Sequence, residues 1–325
     1  MAEQSEQYDV AVVGGGPIGL ACAWRAAQRG LRTVVLDAGE PGAWHVAAGM
    51  LAPVSEAQFG EQALTRLCLE SLRRYPGFCA ELAEVHDPGL HATGTLVVAR
   101  DRDEAEALDR LYEFRRRLGL DVERLRPSAA RRREPALAPT VRLALDIAGD
   151  HSIDPRRLVA ALADACEHAG ARLRRARVRA VESGGVTLAD GSRVRAERVV
   201  VAAGAHAGSL GDVPVRPVKG VVLRLRDPTG HRPRPPLVNR TIRGETAYLV
   251  PRGDGRYVLG ATMEERGWDT APGAGAVYEL LRDMSEVVPG VLELDVAELE
   301  AGLRPATPDN LPAIGPGTAE GVLWA

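Results

Sequence analysis

The sequence predicts an α/β protein in which a parallel-sheet domain is interleaved with a second, α+β domain built on an antiparallel sheet. Three observations carry this reading. Residues 8–37 run directly from strand to glycine turn to helix to strand. Short apolar, β-branched runs, the pattern of strands buried on both faces, recur at 8–13, 32–36 and 198–204. From residue 214 onward the pattern changes to longer strands separated by turns.

The first stretch is the most informative. Tyr8-Asp9-Val10-Ala11-Val12-Val13 leads straight into Gly14-Gly15-Gly16-Pro17-Ile18-Gly19, and residues 20–29 carry helical spacing closed by Gly30. The next strand ends at Asp37, an acid about 20 residues beyond the glycines. Each glycine has a mechanical reason. Gly14 permits the tight turn, Gly16 lets backbone approach a pyrophosphate, and Gly19 lets helix and strand pack closely. The helix start offers unpaired N–H groups and a partial positive charge to phosphate, and Gly15, Pro17 and Ile18 are placed at the cofactor with it. Asp37 suits a ribose 2′-hydroxyl and disfavours a 2′-phosphate. This is a Rossmann-like dinucleotide site.

Composition sets the outer bounds. With 325 residues, two domains are expected, and a hydrophobic share of 45% permits a full core. A formal net charge of −3 gives no electrostatic case for nucleic acid. Cys22, Cys68, Cys79 and Cys166 show no paired spacing and read as reduced packing residues of a cytoplasmic protein. The polar first seven residues lack the apolar core of a secretion signal, and no run of about 18 apolar residues predicts a membrane span.

Along the chain, a small-residue loop follows the ribose acid. Ala38, Ala48, Gly49 and Met50 in this loop are placed at a second cofactor contact. Residues 62–85 read as a helix interrupted at Pro76-Gly77. Residues 95–99 read as a strand and 103–118 as a charged amphipathic helix. The arginines at 115–117 and 131–133 are read as solvated faces, because glutamates flank them. Asp154-Pro155 opens a helix to about residue 168. Residues 171–181 read as one strand holding Val178, a further cofactor candidate, and a hairpin turns at Asp190-Gly191. The strand at 198–204 ends in small residues at Gly204, which lets a flat cofactor pass its tip. Residues 272–288 read as helix and 297–304 as a strand, followed by a proline-rich loop. The domains are accordingly drawn as 1–84, 150–215 and 300–325 for the nucleotide, with 85–149 and 216–299 for the substrate. One domain threaded through another suits a flavoprotein that holds extended FAD under a substrate domain.

Several further segments carry a family resemblance. The opening Asp9-Val10-Ala11-Val12-Val13-Gly14, Ala48-Gly49-Met50-Leu51, Val199-Val200-Val201-Ala202-Ala203-Gly204, Pro217-Val218-Lys219-Gly220, Tyr248-Leu249-Val250-Pro251-Arg252, Leu259-Gly260-Ala261-Thr262-Met263 and Ala301-Gly302-Leu303-Arg304-Pro305 resemble the D-amino-acid oxidase superfamily. Within it they are most similar to the glycine oxidases of thiamine biosynthesis, over nearly the whole chain. The resemblance implies FAD, oxidation of glycine to its imine, electron transfer to dioxygen with release of hydrogen peroxide, either hydrolysis of the imine to glyoxylate and ammonia or its delivery to thiazole synthesis, and a homo-oligomer. In that family a glycine-containing segment follows the last strand and ends in a helix facing the flavin pyrimidine. The sequence ends at Ala325, before it, which leads to an expectation of weakened FAD retention and turnover.

For the chemistry, Arg304 is the candidate for the substrate carboxylate, since its planar fork suits a bidentate pair. Tyr248 is placed to hydrogen-bond the same carboxylate or close the pocket, and Met263 to form an apolar wall beside the flavin. No acid–base pair is required, because the cofactor carries the difficult step and the protein supplies alignment. His151, His206 and His231 are read as loop residues without a role, and Lys219 is left unassigned. Glycine, sarcosine and D-alanine stay unranked, since one methyl group changes selectivity by only about 1–3 kcal/mol. Three alternatives stand beside this reading: a D-amino-acid dehydrogenase or sarcosine-type oxidase of the same superfamily, and an FAD-binding fragment without turnover. A nicotinamide dehydrogenase leaves the interleaved domain unexplained.

Overall fold

The computed structural model describes residues 7–228 and 235–325; His231 lies outside the described residues. Two eight-stranded sheets and a small three-stranded one organise the chain. In the first sheet, strand Gln7–Val13 is central, with Thr33–Asp37 and Arg193–Val201 parallel on either side. The chain leaves the central strand between these two neighbours, so the carboxyl ends of the strands open a crevice at Gly14. Helix Pro17–Ala27 and helix Pro155–His168 cover one face. Asp154 caps the second of these by accepting the N–H groups of Arg156 and Arg157.

The second sheet runs in the order Asp295–Ala306, Arg216–Arg226, Arg256–Gly260, Tyr248–Pro251, Thr241–Arg243, Thr95–Ala99, Leu143–Ile147 and Glu123–Leu125. Its pairs are antiparallel except that Thr241–Arg243 runs parallel to Thr95–Ala99. Strand Asp295–Ala306, divided at residue 300 in the sequence reading, is one strand paired along its length with Arg216–Arg226. Arg304 therefore belongs to this sheet. The small sheet joins Met50–Leu51, His151–Ile153 and Leu90–His91, so His151 is a strand residue.

Three other expectations are corrected. Helix Gln62–Ala83 runs unbroken through Pro76. Pro76 and Gly77 face solvent, while Tyr75, Phe78, Cys79 and Leu82 pack beside Trp24, and this packing outweighs the missing hydrogen bond. The segment 171–181 is two strands, Arg172–Arg175 beside Asp37 and Val178–Glu182 beside Gly185–Leu188. The Ala176 N–H donates to the Asp37 carbonyl between them. Arg115 is buried rather than solvated, because the helix turn that exposes Arg116 and Arg117 directs it inward.

The core makes a prediction for alkaline pH. Burial pushes the Cys166 thiol up to about 12 and the Cys79 thiol up to about 11, from 9.0. The folded chain thus keeps protons that the unfolded chain releases. Stability falls as pH rises above about 9, by about 1.4 kcal/mol per pH unit for each such group until its folded pKa is reached. A melting temperature that declines steadily from pH 8.5 to pH 10.5 is the expected outcome of a thermal-melt series, and a flat profile contradicts it.

Candidate active site

The glycine turn is dictated by backbone crowding. Gly14 has φ +110°, and a methyl group there would stand 2.3 Å from the Ala202 carbonyl oxygen. A methyl group at Gly19 would stand 2.0 Å from the Gly14 carbonyl oxygen. The turn is tied to the next strand by the Gly14 N–H on the Leu36 carbonyl at 2.9 Å and the Gly15 N–H on Asp37 Oδ2 at 2.6 Å. Asp37 Oδ1 accepts the Gly39 N–H at 2.6 Å. Asp37 thus organises two loops, a role the sequence reading did not include.

These residues fit a bound pyrophosphate. Gly16 precedes helix Pro17–Ala27 in an extended conformation, and no side chain caps the helix. The first-turn N–H groups are therefore offered outward, and the nearest side chain to a methyl at Gly16 is Trp44 at 3.5 Å. Pro17 occupies the first turn, and Ile18 is 56% exposed at its edge. Ala38 follows Asp37, and Gly204, with φ +55° and open space around it, lies just beyond the strand end beside Gly14. Val178 packs on the face of the first sheet.

The segment 48–50 links this cradle to the second sheet. Gly49 has φ +72° and packs against Ile153, whose N–H donates to the Gly49 carbonyl at 2.8 Å. Arg252, buried, donates from Nη2 to the Ala48 carbonyl at 2.7 Å and from Nη1 to the Ile153 carbonyl at 3.3 Å. Burial lowers its guanidinium to about 10. Sequence reasoning quoted Arg252 in a motif but missed this clamp. Its signal is a charge directly after a buried Val-Pro strand end.

Ala48, Val222, Val250 and Val258 form a small apolar cluster, and Met50, Tyr248 and Ala261 pack against it. Two glycines make room for the polar candidates. A methyl group at Gly260 would meet the Tyr248 phenol oxygen at 2.7 Å, and one at Gly220 would meet Arg304 Nη1 at 2.4 Å. Arg304 Nη1 donates to the Thr262 carbonyl at 3.0 Å and the Lys219 carbonyl at 3.4 Å. Burial raises the Tyr248 phenol above its ordinary value, and neighbouring Arg304 opposes the rise. Lys219 is the chain's single lysine. It is buried and donates to the Ala271 carbonyl at 2.5 Å, with Asp269 at 3.4 Å and Glu264 at 3.5 Å, which pins the segment after Met263. Met263 itself is 81% exposed. Tyr248 and Arg304 therefore meet on the second sheet, and Met50 packs against the same apolar cluster as Tyr248.

A family model described as FAD dependent oxidoreductase (DAO) matches residues 9–325. The chain belongs to this family. It is an FAD-dependent amine oxidoreductase. The glycine oxidase of Geobacillus kaustophilus is 35% identical over 326 residues, covering 96% of this chain and 85% of that protein. Its crystal structure superposes with a TM-score of 0.91, over 98% of this chain and 88% of that one. The bifunctional protein ThiO/ThiG of Synechocystis sp. is 32% identical over 98% of this chain, which spans 48% of that protein. No helix of this oxidoreductase, among the described residues, is long and apolar enough to cross a membrane.

Proposed function

We propose that the protein oxidises glycine to its imine, with dioxygen as the final acceptor and hydrogen peroxide as product. The observation that carries the reading is the meeting of Arg304 and Tyr248 beside the 48–50 segment. Glycine offers one carboxylate and little else to hold. The Arg304 fork takes that carboxylate, steadied through Nη1 by two backbone carbonyls. The Tyr248 phenol keeps its proton, because burial raises it, and donates to the same carboxylate. The α-carbon is thereby fixed against the apolar cluster, and alignment supplies most of the catalytic gain. Bound FAD supplies the hydride acceptor for the C–H bond of the neutral amine. Gly14, Gly15, Gly16, Pro17, Ile18, Gly19, Asp37, Ala38, Ala48, Gly49, Met50, Val178 and Gly204 are the residues we assign to FAD.

The two electrons and two protons removed from glycine reappear in peroxide, and water converts the free imine to glyoxylate and ammonia. The joined ThiO/ThiG relatives support delivery of the imine to thiazole synthesis; a cytoplasmic homo-oligomer is what the family resemblance implies. The test is to supply FAD-loaded protein with glycine, sarcosine or D-alanine and to quantify peroxide, ammonia and glyoxylate. Equal amounts of all three products are expected from glycine, with peroxide formed faster from it than from sarcosine or D-alanine. Consumption of glycine without peroxide would move the protein to a dehydrogenase.

A further inference from the structure

We propose that Glu56 and Arg243 form a charge lock at the rim of the substrate site that confines it to amino acids with a single carboxylate. The inference rests on the substrate site assigned above. Arg243 lies directly opposite Tyr248 in the antiparallel pair Thr241–Arg243 and Tyr248–Pro251. Directly opposed residues project from the same sheet face. The Tyr248 phenol thus has two guanidinium groups around it, Arg304 and Arg243. Only one is masked. Arg243 Nη1 donates to Glu56 Oε1 at 2.7 Å, across 187 positions of sequence.

The turn that presents Glu56 is held by two buried charges. Asp150 accepts the N–H groups of Val54 at 3.2 Å and Ser55 at 3.0 Å. Arg115 donates from Nη2 to the Ser55 carbonyl at 2.5 Å. Asp150 is 0% exposed and Arg115 1% exposed, and Arg115 Nε and Nη1 have no hydrogen-bond partner among the described residues. Leaving guanidinium donors unmet in the interior carries a free-energy cost. The two charges hold Ser55 from both sides, Asp150 at its N–H and Arg115 at its carbonyl, so the residue that follows has a fixed position against Arg243. The Glu56 N–H closes the turn on the Ala52 carbonyl at 3.0 Å.

Beside Glu56 lies a cavity of about 200 Å³ that Met50, Leu64, Leu72, Tyr75 and Glu61 help to line. Met50, like Tyr248, packs against the apolar cluster of Ala48, Val222, Val250 and Val258. A substituent on the substrate nitrogen therefore has space that begins at Met50 and ends at Glu56. An apolar substituent is tolerated there. A second carboxylate meets Glu56, and Glu61, held by the Asn310 Nδ2 donor at 2.8 Å, adds to the negative wall. The cation that would receive it, Arg243, is covered. Repulsion of this kind discriminates as effectively as attraction to the correct ligand. The pair itself, with Glu56 half exposed, adds little to folding stability, so its carboxylate can be neutralised without loss of the fold.

The experiment uses FAD-loaded wild type, Glu56→Gln and the double variant Glu56→Gln with Arg243→Gln. Each is titrated with two unreactive probes, methoxyacetate and diglycolate, which differ by one terminal carboxylate, and binding is read from the flavin visible spectrum. Glu56→Gln is expected to improve diglycolate relative to methoxyacetate by at least about ten-fold, and the double variant to abolish that gain. An unchanged ratio in Glu56→Gln, or a gain that survives loss of Arg243, would overturn the lock. Because the readout is binding, it stands whether or not glycine is turned over. A wild type that binds both probes but releases no peroxide from glycine would instead refute the glycine reading.

Discussion

Replacing Arg304 with alanine is expected to weaken glycine recognition by about 2–5 kcal/mol, the usual range for truncating one partner of a desolvated charge pair. This corresponds to a loss in kcat/KM of roughly 30-fold to several thousand-fold. The substrate has no side chain through which other contacts could compensate. Arg304→Lys is expected to recover little, because a point charge does not reproduce the fork that Thr262 and Lys219 hold in place through Nη1. Flavin content should stay normal, since Arg304 lies on the second sheet rather than in the glycine cradle. Steady-state kinetics with peroxide detection provides the measurement. An Arg304→Ala protein with an unchanged KM for glycine would remove this residue from the site.

The second large effect is predicted at the cradle. Gly19→Ala places a methyl group 2.0 Å from the Gly14 carbonyl oxygen, and Gly14→Ala places one 2.3 Å from the Ala202 carbonyl oxygen at φ +110°. Neither neighbour is a flexible side chain, so helix Pro17–Ala27 or the turn has to move. Overpacking of this kind costs about 1–3 kcal/mol in stability. The larger consequence is for the cofactor, because the helix N-terminus is displaced from the phosphate line. Both variants are expected to purify folded by circular dichroism but colourless, without the visible band of bound FAD. Normal flavin content in either one would show that the turn does not carry the pyrophosphate.

How much could be read without the fold depended on how local the chemistry was. The dinucleotide turn was legible because its constraints act within about 30 residues: Gly19 packs on Gly14 and Asp37 accepts the Gly15 N–H, across one strand, one helix and one strand. Arg304 and Tyr248 were legible as motif members, but their meeting was not. It depends on strand pairing that sets Arg304 opposite Val218 and Tyr248 opposite Gly260. Arg115 was misread because a run of three arginines looks uniformly solvated, whereas a helix rotates each successive residue to a new face. Pro76 was given too much weight, since the residues on either side of it bury an aromatic face. The clamps at Arg252, Asp150 and Arg115 left almost no trace, because each bonds to backbone carbonyls or N–H groups far away in sequence. The 81% exposure of Met263 likewise depends on how the segment after it is pinned by Lys219.

Whether this site oxidises glycine is decided by adding glycine anaerobically to the FAD-loaded protein while the visible flavin band is recorded. Glycine is expected to bleach the band, and admitting air to restore it with release of peroxide. A band that dithionite bleaches but glycine leaves unchanged would show that the site holds FAD without oxidising glycine, and would contradict the central claim.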